Sequence, residues 1–268
     1  MHPAGSATRA PRRLTREQLA AFDQLGYIRP LPIFTPSQAD ANRAAFDRLL
    51  ALFQAHGHDS YAINGYHVSC ASIHDLATNP LLVDCVADLI GDDVVVWGTH
   101  FFCKLPGDQR EVSWHQDAPY WPLPPMQTVT AWLAIDDTDE ANGAMRVIPG
   151  SHRLGALPTR PSRPQERNVL WTCIDGIESL AAPVSMCLKA GEASLHSDLL
   201  VHGSLPNPSP RRRCGLTIRY VPASVRAGQG WNENAIICRG SDPSGHWIHH
   251  PRPEGDSPLS NHRFIGGN

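Results

Sequence analysis

A helix-bearing first third that gives way to many short strands predicts a mainly β protein with flanking helices, built as a sandwich or jelly-roll barrel. Three observations carry this. Helix caps and apolar stripes at helical spacing run as far as Ile90. From Val94 the hydrophobic period changes to that of strands. Thereafter strand-like runs of a few residues alternate with turn residues, and no internal repeat interrupts them.

Thr15 caps a helix over about 16–25, with Gln18 at the capping-box position and Gly26 as its stop. Thr35-Pro36-Ser37 opens a second helix reaching about Gln54, with Ala39, Phe46, Leu49, Leu50 and Phe53 as its stripe. His56-Gly57-His58 ends it, where histidine suits the helix dipole. Residues 60–72 have no period and are expected to form a loop. Asn79-Pro80 starts a third helix to about Ile90, closed by the turn Gly91-Asp92-Asp93. Strands are expected at 94–97, 100–103, 128–135 and 145–148, then at 186–188, 193–195, 199–202 and 215–221. Asn142-Gly143 supplies positive-φ residues to the turn 136–143, and residues 154–183 form an irregular insertion over the sheet. This gives a tail at 1–14, a helical part at 15–92, a β core at 93–222 and an extension at 223–268.

The 268 residues suit one large domain, and 41% apolar content with net charge −3 describes an ordinary globular chain. That charge gives no basic face for nucleic acid. No apolar run approaches a membrane span. Seven scattered cysteines, odd in number and never spaced C-x-x-C, read as reduced thiols of a cytoplasmic protein. The arginines at 9, 12 and 13 slightly resemble a transit segment, but no apolar face accompanies them and a disordered tail is expected.

The chemistry centres on His115-x-Asp117. In an extended strand residues two apart face the same way, so an imidazole and a carboxylate project together. His202, closing an apolar run before Gly203-Ser204, offers a further ligand. Two histidines and a carboxylate on one face of a metal is the arrangement of non-haem Fe(II) oxygenases. The bland reading is a surface pair on a strand edge. His196, six residues before His202, is a rival ligand if one strand runs through both. A 2-oxo acid chelating the metal carries a second carboxylate, which an arginine fork holds best. Arg211-Arg212-Arg213 opens the strand after His202, so at least one of the three is expected to face inward; Arg219 has the same parity as Arg213.

Trp114-His115-Gln116-Asp117, the run Trp132 to Asp137, Asn142-Gly143, Ile148-Pro149-Gly150-Ser151-His152, His202-Gly203-Ser204 and Arg213 occur in that order within roughly 15–222. The set resembles the phytanoyl-CoA dioxygenase family. The resemblance implies a double-stranded β-helix, a jelly-roll or cupin-like barrel, forming a single Fe(II)/2-oxoglutarate dioxygenase domain over 1–268. It implies Fe(2+) held by His115, Asp117 and His202, with 2-oxoglutarate and O2 as co-substrates. Arg213 would hold the distal carboxylate of 2-oxoglutarate, assisted by Ser204, with Arg219 a lesser alternative. Lys104 matches a family lysine near the co-substrate, Gln127 and Trp132 match positions lining its pocket, and Gln116 and Thr130 match less closely. His196 is then a substrate contact, and His152 a donor that fixes its loop. Asp117 stands where related halogenases lack a carboxylate, which implies hydroxylation or a kindred hydrogen abstraction, with release of succinate and CO2.

The substrate is expected to be a small metabolite or natural-product intermediate, met by Tyr61, Asn64, Tyr66 and His67 and by His100, Phe102, Tyr120 and Trp121. An acyl-CoA hydroxylase of the same family is an alternative; it would want a basic patch, for which Arg153, Arg160, Arg163 and Arg167 are the candidates. A cupin-like metal enzyme using no 2-oxoglutarate, and a catalytically silent binding protein, are the other readings.

Overall fold

The computed structural model describes residues 13–259. Four helices lie in its first third: α1 (Arg16–Leu25), α2 (Pro36–Ala55), α3 (Ala71–Ala77) and α4 (Pro80–Ile90). Thr15 and Thr35 each form a full capping box, and the Asn79 side chain accepts from Leu81 and Leu82 at the start of α4. Ala39, Phe46, Leu49, Leu50 and Phe53 are all buried, as the stripe requires. Helix α3 starts at the end of the segment expected as a loop and runs on through residues for which no element was expected. It spans seven residues and has no side-chain cap, so it carried no helix signal of its own; buried Ile73, Leu76 and Ala77 hold it in place.

Of the expected tail, residues 1–12 lie outside the described residues. Its end is docked: the backbone amides of Arg13 and Leu14 donate to Asp88 Oδ2 on α4, and Leu14 is buried.

The strands are β1 (Tyr27–Pro32), β2 (Val94–Lys104), β3 (Val112–His115), β4 (Val129–Ala134), β5 (Met145–Val147), β6 (Arg160–Pro161), β7 (Thr172–Cys173), β8 (Val184–Ser185), β9 (Glu192–Ser197), β10 (His202–Ser204), β11 (Arg213–Pro222) and β12 (Ile236–Arg239). A six-stranded sheet runs β1-β9-β4-β11-β2-β12, and a four-stranded sheet runs β3-β10-β5-β8. All pairings in both are antiparallel. This is the jelly-roll class.

Several expectations need correction. The two strands expected at 94–97 and 100–103 are one, because Gly98 and Thr99 stay in the ladder to β11. Residues 199–201 precede a strand that begins only at His202, so no single strand carries His196 and His202. β1 was missed because Pro30 and Pro32 argue against a strand; it sits at a sheet edge, where a missing N–H costs least. β12, within the presumed extension, pairs with β2 and closes the other edge. Of Asn142-Gly143 only the glycine has positive φ, while Asn142 is buried in a cap with Asp139.

Alternation divides the large sheet into two faces. Cys214, Leu216, Ile218 and Tyr220 of β11 join Val129, Ala131 and Leu133 of β4 against the helices, forming the main core. Arg213, Gly215, Thr217 and Arg219 point the other way, toward the small sheet. A second apolar cluster, Trp132, Ala134, Met145, Val147, Met186 and Leu188, fills part of that space. The site occupies the rest.

Candidate metal centre and adjoining anion pocket

β3 and β10 are neighbours, with His115 opposite His202 and their ring centroids 4.0 Å apart. The Nδ1 atom of each ring donates to a backbone carbonyl, Ser113 O for His115 and Leu200 O for His202, both at 2.9 Å. An imidazole that donates from Nδ1 presents a lone pair on Nε2, so these carbonyls fix the tautomer a metal needs. Asp117 arrives differently from the strand expectation. His115 is the last residue of β3, and Asp117 has φ −73 and ψ −44, opening a 3-10 turn. The chain turns the carboxylate back toward the histidines; alternation does not bring it there. Asp117 Oδ1 lies 3.7 Å from His115 Nε2 and 4.0 Å from His202 Nε2.

One ligand atom from each of the three residues falls within 4.8 Å of the others. Burial opposes ionisation of Asp117, but the facing imidazoles of His115, His196 and His202 outweigh it and hold its carboxyl well below the ordinary range. Burial, with His115 beside it, pushes His202 down to about 3. An ionised carboxylate beside two imidazoles that present Nε2 lone pairs is the donor set that Fe(II) accepts.

The three residues line one cavity. Arg213 enters its wall from β11. Of the three adjacent arginines, Arg211 pairs with Asp139, and Arg212 with Asp136 and Asp47. Arg213 turns inward, is 2% exposed and pairs with no carboxylate among the described residues. Its Nη2 donates to Ser204 Oγ and its Nη1 to Phe102 O, each at 3.2 Å, while Nε has no partner. Trp132 lies beneath it, 5.8 Å from ring centroid to guanidinium carbon. That indole crosses β11 only because residue 215 is glycine: a Cβ there would stand 2.1 Å from Trp132 Cζ2. Lys104, opposite Arg213 in the ladder, donates from Nζ to the carbonyls of Ser204 and Leu205. Burial and then the Arg213 charge push its ammonium down to about 6.

The phytanoyl-CoA dioxygenase family matches this chain over residues 22–215. The chain belongs to that family. A probable alpha-ketoglutarate-dependent hypophosphite dioxygenase of Stutzerimonas stutzeri is 30% identical over 167 residues, which are 59% of this chain and 56% of that protein. The chain thus spans just over half the length of that curated relative. Among solved structures, the non-haem monooxygenase ThoJ in its apo form superposes with a TM-score of 0.78 at 30% identity, covering 89% of each chain. CytC3 with Fe(II) and alpha-ketoglutarate gives 0.66 at 26%, covering 90% of this chain and 94% of that one. Iron and 2-oxoglutarate are accordingly the cofactor and co-substrate of the family, and a His-Asp-His set stands ready here for the metal.

Other residues singled out for this dioxygenase family fall into two groups. Phe102 lines the cavity, Thr130 Oγ1 donates to Asp117 Oδ2 at 3.4 Å, and the Tyr120 ring lies 6.2 Å from that of His115. His196 lines it too, although β9 and β10 belong to different sheets. Its Nε2 is 3.9 Å from Asp117 Oδ2, and both ring nitrogens lack a partner. Gln127 is half-buried ahead of β4 and is not part of the cavity wall. Gln116 faces away, bonded through its amide to Gly155 O, Leu199 O and the Leu157 amide. His152 donates to Asp23 O and ties its loop to α1. Tyr66 packs edge-on against Phe53, and His67 is buried on Asn234 O and Thr99, so neither meets the cavity. Met145 and Thr217 also line the cavity and were passed over. Nothing local marks them, since the cavity is assembled from strands up to about 120 residues apart in sequence.

Proposed function

We propose that the protein is an Fe(II)- and 2-oxoglutarate-dependent oxygenase that hydroxylates an unactivated C–H bond of a small metabolite or natural-product intermediate, releasing succinate and CO2. One observation carries this: Arg213 is a buried guanidinium without an acid partner, in the same cavity as the His115, Asp117 and His202 set. A buried charge is costly unless paired. A dicarboxylate reaching from the metal to Arg213 supplies that pair.

When bound, iron with 2-oxoglutarate and O2 supplies the oxidant that removes the hydrogen atom. The residues do the rest. His115, His202 and Asp117 hold the ion, with both imidazoles oriented through Nδ1. Arg213 grips the distal carboxylate, Ser204 steadies the guanidinium, and Lys104 adds a second cationic group beside it. Trp132, Phe102 and Met145 exclude water around the co-substrate. Asp117 fills the position that a halide would need, which favours hydroxylation. Seven free thiols suit a reducing cytoplasm; among the described residues no helix is long and apolar enough to cross a membrane.

The acyl-CoA alternative loses one arginine of its basic patch, because Arg160 is bound to Glu166 and Asp175. A relative named for hypophosphite supports a small substrate. The test is succinate release across a panel of small metabolites, with mass spectrometry of any hit. One added oxygen atom is the expected product. Turnover that persists without 2-oxoglutarate, or in Arg213→Ala, would establish the cupin-like alternative instead.

A further inference from the structure

We infer that Arg219, walled by Trp97 and Trp121, is a subsite for the carboxylate of the primary substrate, so that the molecule oxidised is a small carboxylic acid; the inference rests on the oxygenase reading above.

β11 sends two arginines into the cavity, six residues apart. Six residues of strand span roughly 20 Å, so the two side chains serve opposite ends of the site. Arg213 stands beside Ser204. Arg219 stands in a cross-strand row with Thr130 of β4 and His196 of β9, the two residues that touch the second oxygen of Asp117.

Its surroundings are built for a bare guanidinium. Arg219 pairs with Gly98 across the ladder, and the register to β2 slips at the next step, leaving Trp97 as an extra residue. A bulge of this kind re-aims a side chain. Here it brings the Trp97 ring to Arg219, 5.5 Å from its guanidinium carbon; Trp121 lies 5.0 Å away on the same group. The two indoles meet edge to face at 4.7 Å. A Cβ at Gly98 would lie in ordinary contact with Arg219, 3.5 Å from both Cδ and Nη1.

Arg219 forms no hydrogen bond or ion pair with any described residue, and its Nε is buried without an acceptor. Asp117, the charge that bears on it, forms no ion pair with it and faces the metal set. Guanidinium cannot shed its proton, so it remains a cation that the protein orients and leaves unneutralised. Aromatic faces fix its plane without satisfying its donors. A carboxylate accepts two parallel bonds from such a fork. His196, with both ring nitrogens free, offers a further polar contact in the same row. A substrate held this way presents its carbon chain toward His115 and His202.

The test uses the full-length protein and small acids (benzoate, phenylacetate, hexanoate), each against its primary amide, with intrinsic tryptophan fluorescence as the readout. Metal-free Arg213→Met removes the other cavity arginine. In it at least one acid is expected to bind tenfold or more tightly than its amide, and adding Arg219→Met is expected to erase that preference. Should Arg219→Met fail to fold, Arg219→Lys, which keeps the charge and loses the fork, is expected to weaken acid binding severalfold. An unchanged preference in either variant, or no preference for any acid in Arg213→Met, overturns the proposal. So does a tenfold loss of 2-oxoglutarate affinity in the anaerobic Fe(II) form of Arg219→Met, which would make Arg219 a co-substrate residue. Failure of the wild type to bind Fe(II) would sink the oxygenase reading while leaving the acid preference standing.

Discussion

The two faces of the large sheet are drawn from the same strands by alternation, yet they are built on opposite terms. On the helix side, β11 offers Cys214, Leu216, Ile218 and Tyr220, all fully buried, and even the Tyr220 hydroxyl finds Ala77 O at 2.8 Å. On the cavity side, Ser194 Oγ, both nitrogens of His196 and the Nε atoms of Arg213 and Arg219 are buried without partners. Each orphan of that kind costs about 1–3 kcal/mol, and more when charged. One face therefore holds the fold together, and the other spends part of that stability to keep polar groups waiting. The difference teaches where to look for function: at unsatisfied groups which a sheet could have made apolar and did not.

Exchanging the roles of the faces is the sharpest way to break this comparison. Asp117→Ala should take succinate release to background and abolish anaerobic Fe(II) binding. The thermal midpoint of the metal-free protein should hold, because the carboxylate supports no core packing. A large loss of that midpoint would mean the cavity face is structural after all.

Next in size is Arg213→Met. Truncating one partner of a buried charge pair costs 2–5 kcal/mol, so 2-oxoglutarate affinity should fall from about 30-fold to some thousandfold. Replacing an unpaired buried cation by an apolar chain should leave the ligand-free protein equally stable or about 1–4 kcal/mol more stable. Calorimetry of the two forms, with and without 2-oxoglutarate, reads both effects. Destabilisation of the ligand-free form would contradict the division of faces.

Phe46→Ala is the mirror experiment. Phe46 is 1% exposed, and its ring lies 4.7 Å from that of Phe101 on the helix side of β2. About 3–5 kcal/mol of stability should go with it. The 2-oxoglutarate affinity of the remaining folded protein should stay within a factor of two, as measured by titration well below the new midpoint.

The same division explains what the sequence disclosed. The helix side was legible, because local rules write it: the capping boxes at Thr15 and Thr35, the five-residue stripe of α2, the alternation of Cys214 to Val221. His115, Asp117 and His202 were legible as donor types in order, although the reason given for Asp117 was wrong; a turn, not a strand, aims it. Spacing left the arginine triplet undivided; the family resemblance singled out Arg213, and the acids on Arg211 and Arg212 leave it the one without an ion pair. The Trp132–Gly215 contact, the bulge that turns Trp97 and the pairing of β12 with β2 depend on residues about 80 to 145 positions apart. No short-range pattern encodes such meetings, and β1 and α3 exist only because partners elsewhere hold them.

The smallest expected effect separates a group that waits charged from one that waits neutral. Arg213 keeps its proton under all ordinary conditions. Lys104, buried beside it, is pushed down to about 6 and is mostly an uncharged amine at pH 7 before ligand arrives. A dicarboxylate entering next to it favours the ammonium and raises its pKa again. Binding should then draw in close to one proton at pH 7 to 8, detectable as a dependence of the calorimetric binding heat on the ionisation enthalpy of the buffer. The sign follows: affinity for 2-oxoglutarate should weaken as pH rises above 6, by as much as tenfold per unit while the bound form stays protonated. In Lys104→Met both the proton uptake and that slope should vanish, with Arg213 still holding the carboxylate. A proton uptake that persists in Lys104→Met would assign it to another group in the cavity, and Lys104 would then be a structural donor to Ser204 and Leu205 alone.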